Sequence, residues 1–224
     1  MKILAIECTH GFASVAVSDG GRVVERRLAE WQKTAESLVP LVMQAMAEAG
    51  LAVAELDGVA VSSGPGSFTA LRIGLSVAKG VAFGAGLPLA PVSTLLAMAE
   101  AATEHVASRF VVPVIQSRPG EYFYSIFSVE DGAFTEIESS RCLVSELPAR
   151  LAAFADSLAM ISRSADTLAS EAPSLAPYLI DASFFSAASL IGHAEKAFAE
   201  GVAGTAAGTA PDYRQTFTPV QRRG

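Results

Sequence analysis

Two stretches of this chain keep one rhythm, and that repetition constrains the fold more than any single motif. Residues 2–29 read KILAIEC, THG, FASVAVS, DGG, RVVERRLA: three short strands separated by two turns. Residues 109–139 repeat the order as RFVVPVIQ, SRPGE, YFYSIFSV, EDG, AFTEIES. Helix and strand then alternate after each meander. In the first half, 35–49 reads as a helix stopped by Gly50, LDGVAVS as a strand, 70–84 as a second helix, LPLAPVS as a weak strand broken by prolines, and 94–106 as a third helix. In the second half, SELPARLAAFA is a helix, LAMIS a strand, 166–171 a short helix, YLID a strand and SAASLIGHAEKAFAEG a closing helix. Three antiparallel strands followed by helix–strand alternation, twice over, predict a duplicated α/β unit with mixed sheets. The boundary is expected in the neighbourhood of residues 101–109, giving units 1–104 and 105–224. Identity between the halves is negligible, so only element order repeats.

Composition limits what such a fold can do. Among 224 residues, 51% are apolar and 17% charged, which supplies a core and excludes a wholly disordered chain. The net charge of −7 argues against nucleic-acid binding by this chain alone, since phosphate contacts need clustered Lys and Arg. The one basic cluster, Arg222 and Arg223 in QRRG, reads as a solvated tail. The opening MKILAIEC is interrupted by Glu7 before a secretory apolar segment develops, and the greasy region 73–92 contains Lys79, glycines and prolines. A cytoplasmic protein with no membrane partner is expected. Cys8 and Cys142, without CxxC spacing, read as reduced structural thiols.

The stretch SSGPGSFTALRIG, 62–74, brings a strand through a glycine loop into a helix. An anion held by Gly64, Gly66, Ser67 and Thr69 is one reading, because a helix start presents unpaired N–H groups. The other is a tight turn with Ser67 or Thr69 capping those same groups. No Lys stands where a P-loop needs one, and Ser67 lacks the second Gly of a nucleophile elbow. His10, His105 and His193 are far apart and have no second ligand at i+3 or i+4, so no metal site is expected. Alternation places Cys8 and His10 on one face of a strand end, with no third group to complete a nucleophilic set.

The first two helices carry more apolar surface than one sheet can cover. Leu38, Leu41, Val42, Ala45 and Met46 form one stripe of the first, while Val39, Met43 and Ala47 make its other side apolar too. The second has Leu71, Leu75, Ala78 and Ala82 on one side and Ile73, Val77 and Val81 on another, with Gly74, Gly80 and Gly84 allowing a neighbouring helix close. Either other helices of the same unit or a partner must cover the remainder.

GPGSFTALRIG, followed by AKG and VSTL, closely resembles the bacterial tRNA threonylcarbamoyladenosine biosynthesis family TsaB, also called YeaZ. The opening ILAIECT, RPGE at 118–121 and PDYR near the C-terminus are similar to the family's corresponding motifs, so the likeness spans nearly the whole chain, thinly after residue 140. The resemblance implies an α/β, actin-like ATPase (ASKHA) fold of two ribonuclease-H-like halves. It implies a non-catalytic subunit supporting a TsaD-like transferase that modifies the adenosine beside the anticodon of ANN-decoding tRNA, with a TsaE-like ATPase joining and tRNA reached only through the complex. Docking, or homodimer formation when alone, would use the two N-terminal helices, through Leu38, Leu41, Val42, Ala45, Met46, Arg72, Ile73, Ser76, Val77, Lys79 and Gly80. Four positions depart from the family pattern. Glu7 stands where Asp is common. Gln116 stands at the end of the second half's first strand, where actin-like phosphotransferases place an acid for Mg²⁺. Thr34 and Ala35 replace a frequent His-Ser pair. Glu7 and Gln116 therefore read as a degenerate nucleotide site, with no cofactor bound by this chain alone and ATP only at a complex interface. The alternative is a small actin-like ATPase or phosphotransferase using Glu7, Ser67 and Thr69.

Overall fold

The computed structural model describes residues 1–28 and 33–212, which build two five-stranded mixed sheets. In the first, β1 (Lys2–His10), β2 (Phe12–Asp19) and β3 (Val23–Leu28) form the antiparallel meander. β4 (Gly58–Gly64) and β5 (Leu89–Ser93) add in parallel beside β1, giving the order β3-β2-β1-β4-β5. In the second, β6 (Phe110–Arg118), β7 (Glu121–Glu130), β8 (Ala133–Leu143), β9 (Leu158–Ser162) and β10 (Leu179–Asp181) take the order β10-β9-β6-β7-β8. Numbered within its own half, each sheet has its third, second, first, fourth and fifth strands in line. The duplicated rhythm of the sequence is thus a duplicated topology.

Strand alternation sorts the core into layers. Leu4, Ile6, Val59 and Val61 point to one face of the first sheet, where α1 (Thr34–Ala49) lies over β2 and β3 and α2 (Phe68–Ala85) over β1 and β4. Ile3, Ala5, Ala60 and Ala90 point the other way, into a core shared with Val111, Ile115, Ala159 and Ile161 of the second sheet. Between the sheets sit α3 (Thr94–Ala101) from the first half and α6 (Ile191–Ala199) from the second, α6 packing back onto β5, β4 and β1. The outer face of the second sheet, with Val112, Val114, Tyr122, Tyr124 and Met160, is covered by α4 (Leu147–Leu151), α5 (Ala165–Glu171) and intervening short turns.

Two expected helices are shorter. The third ends at Ala101 and tightens into a 3₁₀ turn over 102–104, and SELPARLAAFA holds only five α-helical residues between 3₁₀ turns. α2 is long and apolar enough by length and composition to cross a membrane, yet it lies across the sheet with Leu71, Leu75, Ala78 and Ala82 buried against it.

Candidate functional site

At the C-terminal end of β1, Glu7 is wholly buried, and both of its carboxylate oxygens are taken. Oε1 accepts from the Thr9 backbone N–H at 2.8 Å and from the Thr9 hydroxyl. Oε2 receives Nη2 of Arg163 at 2.8 Å, a side chain 4% exposed. Arg163 stands just past β9, so the pair joins one sheet to the other. Its guanidinium also donates to the backbone oxygens of His10 and Phe185 and lies 3.9 Å from the Phe12 ring centroid. The stitching continues along residues 183–188: Ala187 N–H donates to Ser14 Oγ at 2.8 Å, Ala188 N–H to Glu25 Oε1 at 3.3 Å, and Arg27 reaches the Ser183 carbonyl at 3.0 Å. Sequence reasoning passed over Arg163. The available signal was an Arg directly after an apolar parallel strand, where such sheets place their functional groups.

Glu7 and Gln116, read as a degenerate nucleotide site, lie on different faces of their sheets: Glu7 is at the seam between the sheets and Gln116 is not. Val112 and Val114 face the outer core of the second sheet, so by alternation Gln116 faces outward too, and its Nε2 meets Tyr122 Oη at 3.3 Å. Tyr122 in turn donates to Glu171 of α5 at 2.7 Å. The position matching Glu7, five residues into β6, is the apolar Ile115. Cys8 and His10 also part company, because the β1–β2 register shifts between Glu7 and His10 and breaks the alternation. Cys8 lies against α2, donating to the Ala70 carbonyl, and burial followed by the Glu7 charge pushes its thiol up to about 12. His10 sits across the seam, Nε2 at 2.8 Å from Ser164 Oγ; burial, then the Arg163 charge, holds it down at about 4.

The glycine loop is used by the chain itself. Ser67 takes the N-cap position of α2 without a side-chain cap bond, and Thr69 lies inside the helix, so the expected hydroxyl cap is absent. The Ser67 N–H instead donates to the Thr9 carbonyl at 2.8 Å. Gly64 adopts φ +120°, and a Cβ there would stand 2.3 Å from the Asp212 carbonyl oxygen. At Gly66 a Cβ would be 2.7 Å from that of Thr9. The glycines thus allow the loop to seat against β1 and the 211–212 segment.

On the far side of the first sheet, α1 and α2 lie side by side. Leu38, Leu41, Val42, Ala45 and Met46, expected at a partner interface, are 0–8% exposed because they face β2 and β3 in the chain's own core. The open side of α1 instead carries Val39 at 50% and Met43 at 67% exposure. On α2, Arg72, Ser76 and Gly80 are exposed and Ile73, Val77 and Lys79 half-buried, with Phe68 and Phe83 open at the two ends. The Arg72 guanidinium lies 3.8 Å from the Phe68 ring centroid. Gly74, expected to admit a helix, serves β1: a Cβ there would stand 2.5 Å from Cys8 Sγ. Thr34 is buried and Ala35 exposed at the start of α1. Arg222, Arg223 and the Tyr213-Arg214 end of PDYR lie outside the described residues. Among the described residues, no group of three or more His, Cys, Asp or Glu side chains is placed to hold a metal ion.

Comparison with known proteins agrees with this architecture. The family model described as "TsaD: tRNA N6-adenosine threonylcarbamoyltransferase" matches residues 29–200. A "tRNA threonylcarbamoyladenosine biosynthesis protein TsaB" of Haemophilus influenzae is 34% identical over 125 residues, covering 56% of this chain and 53% of that protein. The Escherichia coli protein of the same description is 30% identical over 144 residues, covering 64% and 62%. The chain thus aligns with little more than half the length of these relatives. The solved structure of YeaZ from Pseudomonas aeruginosa superposes over 95% of this chain and 99% of its own, with a TM-score of 0.80 and 25% identity. The fold is the two-lobe, actin-like α/β architecture. The chain belongs to the tRNA N6-adenosine threonylcarbamoyltransferase family, and within it to the TsaB/YeaZ group.

Proposed function

We propose that this chain is a non-catalytic subunit in the formation of threonylcarbamoyladenosine in tRNA. Its outer α1–α2 face docks a TsaD-like transferase, a TsaE-like ATPase joins the assembly, and tRNA is reached only through the complex. When the chain is alone, the same face pairs two copies. The observation that carries the reading is the open apolar strip of Val39 and Met43 on α1 beside half-buried Ile73 and Val77 on α2. A helix-pair contact of this kind buries about 800 Å² per partner, enough for a specific complex. Arg72 and Lys79 supply charged contacts along the same helix. Non-catalysis is supported by the seam: both Glu7 oxygens are occupied within the chain, leaving none directed to a metal–nucleotide complex. Glu7, Ser67 and Thr69 therefore have no nucleotide chemistry in this reading, and any ATP belongs to a junction with another subunit.

Gel filtration with a TsaD-like transferase tests the docking. Met43→Glu places a charge on a side chain the fold leaves exposed, so the variant should stay folded by circular dichroism while co-elution is lost, a drop of at least about tenfold in affinity. Undiminished co-elution would overturn the reading. Titration of the isolated chain with ATP and Mg²⁺ should give no binding heat; micromolar binding with turnover would favour the small ATPase instead.

A further inference from the structure

On the opposite side of the first sheet from the docking helices, a cavity of about 350 Å³ opens between the C-terminal end of α3 and the start of α6. Glu100 and Glu104 enter it from the α3 end, His193 from α6, and His105 and Phe184 form one wall, their rings stacked at 4.1 Å and 23°. The charge arrangement runs against local electrostatics. A helix C-terminus carries partial negative charge and favours cations, yet α3 has no basic residue in its last turn and presents Glu100, with Glu104 in the 3₁₀ turn beyond. Among the described residues, no Lys or Arg lines the cavity. His193 reaches one of the carboxylates, its Nε2 3.2 Å from Glu100 Oε2. Burial, the first cause, holds His193 below the ordinary histidine range, with Lys196 adding to the effect and Glu100 opposing it. Burial thus favours the neutral imidazole, which brings no positive charge to Glu100.

We propose that this cavity binds a guanidinium cation, clamped by Glu100 and Glu104 and laid flat on the His105–Phe184 wall. Two carboxylates beside an aromatic stack suit that ion better than an ammonium. Its planar fork donates to two acceptors at once, and its face stacks where a tetrahedral ammonium cannot. His105 is exposed at the cavity wall, within reach of a planar guest. The volume suits a small molecule or one side chain of a peptide.

Isothermal titration of the full chain with agmatine tests the proposal. One-to-one binding is expected, weakened about tenfold or more in Glu104→Gln and likewise in Glu100→Gln. Putrescine, with equal charge but no planar head, should bind at least several-fold more weakly. A second titration, with Gly-Arg-Gly amide, distinguishes sources: tighter binding than agmatine points to an arginine of a partner chain, weaker binding to a free guanidine, and either order supports guanidinium recognition. Absence of agmatine binding, equal affinity for putrescine, or affinity unchanged in both Gln variants would overturn it.

Discussion

Arg163 joins the two sheets through one buried carboxylate, two backbone oxygens and two aromatic rings. Removing it strands Glu7 without its charge partner in a site closed to water. Arg163→Met should therefore lose about 3–5 kcal/mol in chemical denaturation, with much of that loss recovered when Glu7→Gln is added. Equal losses in the single and double variants would show that the pairing is immaterial. His10 adds a pH dependence. Its folded value of about 4 lies below the ordinary 6.5, so the unfolded chain binds more protons between those values, and stability falls as pH drops through that window. At pH 5 the deficit is about 2 kcal/mol relative to pH 7, and His10→Asn should remove it from the difference between denaturation curves at the two pH values. Neither residue's role was legible in sequence. Arg163 meets Glu7 only through a separation of 156 residues, and the register shift that turns His10 away from Cys8 leaves no mark in the pattern ILAIECTH.

Single glycines separate the two faces of α2. Gly74 lies over Cys8 with no room for a methyl group, so Gly74→Ala should cost about 1–3 kcal/mol in thermal or urea unfolding, relieved by adding Cys8→Ala. Gly80 meets nothing within 4 Å, and Gly80→Ala should leave the fold as stable or raise stability by up to about 1 kcal/mol through helix propensity. A reversed outcome would place the wrong face of α2 against the sheet. The helices were readable because apolar spacing and the glycine stop at Gly50 act locally; α2 runs past the expected 84 to Ala85 and is capped by Gly86, both glycines adopting positive φ. Which apolar stripe turns inward was not readable for α1, since both of its sides are greasy; only the position of β2 and β3 selects Leu38, Val42 and Met46 for burial. The same limit misplaced Gln116 by one residue, because one step along a strand exchanges its faces and the strand's phase is fixed by its neighbours.

Across the whole molecule, the repeated meander was enough to foresee two matching sheets, since each hairpin and crossover is set by nearby residues. What element order left out is how the halves share material. α3 and α6 fill the space between the sheets, and residues 183–188 bond back to Ser14, Glu25 and Arg27 of the first. This interleaving uses up the inner surfaces and the cleft around Glu7, leaving the outer side of α1 and α2 as the apolar surface on which docking is proposed. Hydrogen–deuterium exchange on the chain, free and bound to a TsaD-like transferase, tests that claim most directly. Docking through the outer helices predicts new protection concentrated in 34–49 and 68–85. Protection confined to the second sheet or the seam, with those two helices exchanging as in the free chain, would contradict it.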